Sequence, residues 1–267
     1  VGTVFHAGAA MKGSAADFQR GTVAGTRNVI EACLRHKVER VVYVSSISVL
    51  EHAVRRDDPV SESWPLEPHA ERRGAYTQTK LEAERMVMAA ARERNLPAVV
   101  LRPGVIFGPG VEPSCPAGSF ALAGRWIVVG NGSLPLPLVY VDDVLDALLL
   151  ASWRPGMEGK LIHVVDPAVV TQRELIRLAQ AAKPKIKASY VPGPVLMAAA
   201  IGIEALGRLL HRGVPLSRYR IRSIRPLSHF DQTAARQLGW TPRVGVAEGL
   251  RRTFPAAPVV QSASSPR

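Results

Sequence analysis

Only two cysteines, Cys33 and Cys115, occur in the 267 residues, too few for a disulfide framework or a cysteine zinc site. That scarcity fits a reducing, cytoplasmic setting, and no metal is expected. Charged residues make up 21% and aromatics 6%, against 47% hydrophobic residues, so the chain has the material for a sizeable core and disorder is not expected. The basic residues are not interleaved with aromatics and no nucleic-acid module is visible, which argues against a nucleic-acid partner. A starting methionine is also lacking. The opening residues, Val1 to His6, already read as a strand, so no leader is expected and an N-terminal truncation is.

The net charge of +12 has an ordinary source in a steep preference for arginine over lysine, as a GC-rich coding sequence produces. Its functional alternative is an anionic partner: a phosphorylated substrate, a membrane surface or nucleic acid. An arginine series at Arg218, Arg220, Arg222 and Arg225 could clamp a diphosphate, or be a solvated strand face.

Strand and helix alternate through the first two-thirds. The pattern predicts strands at Thr3 to His6, Arg40 to Val44 and Ala98 to Leu101, with helices over about Ala16 to His36 and Tyr76 to Asn95. Such alternation argues for an α/β doubly wound parallel sheet, its short apolar strands covered on both faces. After Pro103 the glycines and prolines become denser, which points to a second, smaller lobe. Helices should open at Asp142-Asp143, where carboxylates suit a helix N-terminus, and at Thr171, whose spacing to Glu174 is that of a capping box. Residues 194 to 211 are apolar except for Glu204 and Arg208, too charged and too short to span a bilayer. They read as a buried or groove-lining helix, or as one lying on a membrane surface.

Tyr76 and Lys80 stand at i and i+4, so on a helix they share a face, and a nearby ammonium should favour the phenolate for general acid/base work. The spacing alone is weak. It gains weight from Ser45-Ser46 after a buried strand, because the carboxyl ends of parallel strands face the ligand crevice. The plainer alternative is that Ser45, Ser46 and Ser48 merely cap that strand. His6 reads as a packing residue.

The ordered set is His6-Ala7-Gly8-Ala9-Ala10, Gly25-Thr26-Arg27-Asn28, Val44-Ser45-Ser46, Tyr76-x-x-x-Lys80, Leu101-Arg102-Pro103-Gly104 and Val139-Tyr140-Val141-Asp142-Asp143. Over about residues 1 to 255 it resembles the extended short-chain dehydrogenases/reductases, the NAD-dependent epimerase/dehydratase superfamily, and within it the 3β-hydroxysteroid dehydrogenase-like branch. The resemblance implies a Rossmann-like domain over 1–106, a mixed segment over 107–255 that is mainly a C-terminal substrate lobe with elements returning to the core, and a disordered tail over 256–267. It implies Ser46, Tyr76 and Lys80 as the catalytic set. Ala7, Gly8, Ala9, Ser45, Pro103, Gly104 and Val105, with Tyr76 and Lys80, would border NAD or NADP, NAD being slightly preferred. Phe230-Asp231 and Leu238-Gly239-Trp240-Thr241-Pro242 resemble the superfamily's closing segment.

The chain departs from the family in several places. The glycine-rich turn that receives the dinucleotide pyrophosphate is absent, as is the residue that reads the ribose. By the resemblance, on the order of 60 residues should precede Val1, the sheet lacks its first strands, and this fragment alone should bind cofactor poorly and be inactive. Thr22 replaces a frequent asparagine. Ile47-Ser48 replace the acidic pair of 4,6-dehydratases, which excludes that activity. Leu134-Pro135-Leu136-Pro137-Leu138 replaces an arginine-containing sugar-nucleotide motif, which favours an apolar substrate. The leading expectation is an oxidoreductase acting on a secondary alcohol or ketone of a hydrophobic, steroid- or isoprenoid-like molecule. A nucleotide-sugar epimerase and a non-catalytic dinucleotide-binding scaffold are the alternatives. Peripheral membrane contact through 194–211 and a homodimer are the other expected associations.

Overall fold

A computed structural model describes residues 2–53, 58–110, 115–209 and 218–255. In chain order the elements are β1 (Thr3–His6), α1 (Ala15–Phe18), a π-helical turn (Gln19–Ala24), α2 (Gly25–Arg35), β2 (Arg40–Val44), α3 (Ala70–Arg73), α4 (Ala75–Arg94), β3 (Ala98–Pro103), β4 (Val105–Phe107), β5 (Ser119–Leu122), β6 (Arg125–Val129), β7 (Leu138–Tyr140), α5 (Val141–Trp153), β8 (Leu161–Val164), α6 (Gln172–Ala182), β9 (Lys187–Val191), α7 (Gly193–Leu209), α8 (Arg218–Ser223), α9 (Thr233–Leu238) and α10 (Gly245–Thr253).

The central sheet runs β1-β2-β3-β8, all parallel. Its strands alternate between two cores, as the pleat requires. Val41, Tyr43, Ala98 and Val100 face Ile30 and Cys33 of α2 and Ala83 and Val87 of α4. Val42, Val99 and Leu101 face Ala147 and Ala151 of α5 and Trp240. Burial on both faces explains why these strands read as unbroken apolar runs. The outer edge of β1 pairs with no strand among the described residues.

β3 does not stop the sheet's growth, because β8 returns from beyond the lobe to pair with it, Val100 opposite Leu161. Between them the chain leaves the sheet through a parallel pair, β4 with β7, and forms β5 and β6, which β9, arriving after β8, completes as a three-stranded lobe sheet in the order β5-β6-β9. Gly104 makes the sharp exit from β3 possible, since a Cβ there would lie 2.3 Å from the carbonyl oxygen of Pro137. Asp143 binds the closing segment to the body. It is fully buried, and its carboxylate accepts from the backbone N–H groups of Arg243 and Val244 at 2.8 Å each and of Gly245 at 2.9 Å, at the start of α10. Trp240 donates its indole N–H to the Asp143 carbonyl.

Three expectations are corrected. The helix anticipated over Ala16 to His36 is interrupted by the π-helical turn, in which the Thr22 hydroxyl accepts from the Ala10 N–H at 3.0 Å. Arg218 to Ser223 form a helix, so the arginines at i, i+2 and i+4 spread around its axis rather than lining one strand face. Arg218 bonds Glu204 of α7. Leu136 and Leu138 sit in a buried core with Val170, Leu178 and Leu250, so the Leu-Pro repeat packs the lobe against α6 and α10 and is no argument for an apolar substrate. Residues 256–267, expected as a tail, lie outside the described part.

Candidate active site

Parallel register brings the carboxyl ends of β1, β2 and β3 to one edge, His6 beside Tyr43 and Val44 beside Leu101. The segments that leave them, Ala7-Gly8-Ala9, Ser45-Ser46 and Pro103-Gly104-Val105, therefore gather where ligands bind in doubly wound sheets. Ala7, Gly8 and Val105 are exposed there, while Pro103 is buried. His6 is buried, bonds the Thr26 hydroxyl at 2.9 Å and stacks at a tilt on Tyr43, as a packing residue does.

α4 carries the candidate residues Tyr76 and Lys80. It begins after Gly74, whose φ of 115° suits glycine, and presents Tyr76, Lys80 and Glu84 at successive i+4 positions along one side. Each meets the end of β2. The Ser46 hydroxyl lies near enough to the Tyr76 phenol to pull its pKa down. Lys80 donates to the Val44 carbonyl at 2.5 Å and to the Tyr43 hydroxyl at 3.1 Å. Glu84 accepts from the Ser45 hydroxyl at 2.5 Å. The Ser46 hydroxyl also accepts from the Ser48 N–H at 3.1 Å, capping a single 3-10 turn.

Electrostatics differ from the expectation of a lowered tyrosine. Burial pushes the Tyr76 phenol above its ordinary pKa, with Ser46 pulling it partly back. The Lys80 ammonium is drawn instead to a carbonyl and to Tyr43, which lie closer to the strand end. Its own pKa falls to about 8 because it is buried, with Glu84 opposing the fall. A phenol kept protonated suits giving a proton to a carbonyl oxygen.

Beneath these residues lies a buried polar network not foreseen in the sequence. Arg102 grips Glu84 with two hydrogen bonds, Nε to Oε2 at 2.9 Å and Nη2 to Oε1 at 2.5 Å, and reaches His163 at 3.4 Å. A signal existed: Arg102 closes the apolar run Val99-Val100-Leu101, and a charge in a strand buried on both faces needs a buried partner. Ser45, proposed to border a cofactor, has its hydroxyl committed to Glu84 and its N–H to the Leu101 carbonyl.

The model of the NAD dependent epimerase/dehydratase family matches residues 1–162. The chain belongs to this family. It is 34% identical over 272 residues to the 2-alkyl-3-oxoalkanoate reductase of Stenotrophomonas maltophilia, covering 94% of this chain and 79% of that protein. With the 3beta-hydroxysteroid-dehydrogenase/decarboxylase isoform 1 of Arabidopsis thaliana it shares 29% over 264 residues, 92% of this chain and 59% of the relative. Among solved structures, MoeE5 in complex with UDP-glucuronic acid and NAD superposes with a TM-score of 0.67 at 25% identity, covering 96% of this chain and 78% of that one. Family members are NAD-dependent enzymes built on a Rossmann-type sheet, and the parallel β1-β2-β3-β8 arrangement is that sheet.

The residues present fit the nicotinamide end of such a cofactor: a buried lysine, a serine–tyrosine pair and open backbone at the strand ends. The loop after β1 offers no glycine-rich turn for the pyrophosphate.

Proposed function

We propose that this protein is an NAD-dependent oxidoreductase that interconverts a secondary alcohol and a ketone on a hydrophobic substrate. The observation that carries the reading is the meeting of Ser46, Tyr76 and Lys80 at the carboxyl edge of the sheet. Ser46 donates a hydrogen bond to the substrate oxygen. Tyr76 gives that oxygen a proton during reduction and takes it back during oxidation. Lys80, charged near neutral pH, orients the cofactor's ribose and stabilises the phenolate left behind. Bound NAD supplies the hydride acceptor, and its reduced form the donor. Ala7, Gly8, Ala9, the Ser45 backbone and Pro103 to Val105 would hold the nicotinamide end.

Relatives named for a 2-alkyl-3-oxoalkanoate and for a 3β-hydroxysteroid support an apolar substrate bearing an oxygen at a secondary carbon. α7 supports it too. Leu196 and Ala200 pack inward against Val129 and Ile221, yet Val195 and Ile201 are 56% and 51% exposed, an apolar surface at the lobe. The same surface is the candidate for peripheral membrane contact. Among the described residues no helix is long and apolar enough to cross a membrane.

A second reading, nucleotide-sugar epimerisation, is favoured by the resemblance to a structure holding UDP-glucuronic acid and NAD. Net consumption of NADH separates the two. Protein from its complete reading frame is mixed with NADH and 2-alkyl-3-oxoalkanoates or lipophilic ketones, and absorbance at 340 nm is followed. Stoichiometric oxidation supports the reductase. Interconversion of a UDP-sugar without net oxidation would sink it, and binding of NADH without turnover of either class would leave a scaffold.

A further inference from the structure

Glu84 has no role in the proton and hydride chemistry above, yet it is the residue on which the site's parts converge. It is 2% exposed. One carboxylate oxygen accepts from the Ser45 hydroxyl just after β2 and from Arg102 Nε on β3, and the other accepts from Arg102 Nη2. Ser45 is fixed from a second side by its N–H, which donates to the Leu101 carbonyl at 2.7 Å. The residue before it, Val44, is held by Lys80, one turn before Glu84 on α4. The turn carrying Ser46 is thus tied at consecutive residues to two side chains of the helix that carries Tyr76. A buried carboxylate bound this way cannot move without releasing both strands.

We propose that Glu84 is a positioning residue for the Ser46–Tyr76–Lys80 site: clamped by Arg102, it fixes the Ser45-Ser46 turn against α4, one helical turn beyond Lys80. The proposal rests on the assignment of Lys80 as the cationic member of the site. The groups facing Lys80 are Tyr43 from β2, His6 from β1 and Glu84 from α4. Behind Glu84 stand Arg102 and then His163, which in turn faces Glu62 and Asp231. Burial drives the lysine toward neutrality, and Glu84 is the carboxylate that opposes it. A buried ion pair with a purely structural purpose would affect stability alone. This one has a second consequence, in the lysine's titration.

The test reads the lysine without any cofactor. Nitrogen-15 NMR of lysine-labelled protein gives the Lys80 midpoint in wild type, assigned with Lys80→Met. In Glu84→Gln that midpoint falls by ~1 unit or more, the effect of losing an opposite charge nearby. At pH 8 roughly fivefold less Lys80 is then charged, and NADH affinity measured by fluorescence falls with it as pH rises through 7. Glu84→Asp keeps the charge and shortens the reach to Ser45, so it restores the midpoint and not the turnover number. Should Glu84→Gln fail to fold with Arg102 unpaired, Glu84→Asp carries the test: its turnover number falls while the Lys80 midpoint holds. A Lys80 midpoint unchanged in Glu84→Gln, or a wild-type turnover number in Glu84→Asp, would overturn the proposal. That result is distinct from failure of the oxidoreductase reading, in which Lys80 titrates as described but no ketone is reduced.

Discussion

Acidification should unfold this protein partly through a single histidine. His163 lies on β8 with no exposed surface; its Nδ1 has no hydrogen-bond partner and its ring meets Phe230 edge-on at 5.2 Å. Burial, and Arg102 after it, lower its pKa from 6.5 to about 3. Between those values the unfolded chain binds a proton that the folded chain refuses. The stability held by the neutral imidazole is therefore complete above pH 6.5 and is lost as pH falls toward 3. At pH 4.5 the loss amounts to about 2.7 kcal/mol, two units below the unfolded value at ~1.36 kcal/mol each. His163→Leu removes this titration and leaves the carboxylates of the protein in place. Urea unfolding of both proteins at pH 7.5 and pH 4.5 should show wild type losing ~2.5–3 kcal/mol more than the variant over that interval. Equal losses would refute the reasoning, because the imidazole would then titrate alike in the folded and unfolded chains.

Two further perturbations follow from the packing. Asp143→Ala strands the N–H groups of Arg243, Val244 and Gly245 at the start of α10, at ~1–3 kcal/mol each. Urea melts should show a loss of ~3 kcal/mol or more, and a loss under ~1 kcal/mol would contradict the capping account. Gly104→Ala drives a Cβ against the Pro137 carbonyl; it should cost ~1–3 kcal/mol in the same assay and, by moving Pro103 to Val105, weaken NADH binding in a fluorescence titration.

Much of the fold was written in local pattern. Val41 to Val44 and Val99 to Leu101 announce doubly covered strands because both their faces are core. Thr171 and Glu174 form the capping box their spacing promised. Gly74 and the i, i+4 spacing of Tyr76 and Lys80 locate α4. What stayed hidden depends on contacts distant in sequence. The return of β8 to β3 across the whole lobe leaves no local mark, nor does the seating of Leu136 and Leu138 against α6 and α10. Arg218, Arg220 and Arg222 alternate as in a strand, and the helical state there is a tertiary outcome. In the site, the direction of the Lys80 ammonium was the element that spacing misjudged. Helical phase puts Lys80 near Tyr76, but the nearest acceptors for a buried cation are the Val44 carbonyl and the Tyr43 hydroxyl. Glu84 escaped notice because its partners, Ser45 and Arg102, come from two other strands.

The central claim is that Tyr76 moves the proton while the rest of the site holds cofactor and substrate. Tyr76→Phe in protein from the complete reading frame removes the phenolic oxygen and little else. NADH affinity should stay within about twofold of wild type, while the turnover number for ketone reduction drops by ~10²–10⁴, the usual worth of a positioned general acid. Full turnover in Tyr76→Phe would contradict the account, because the proton would then come from another group.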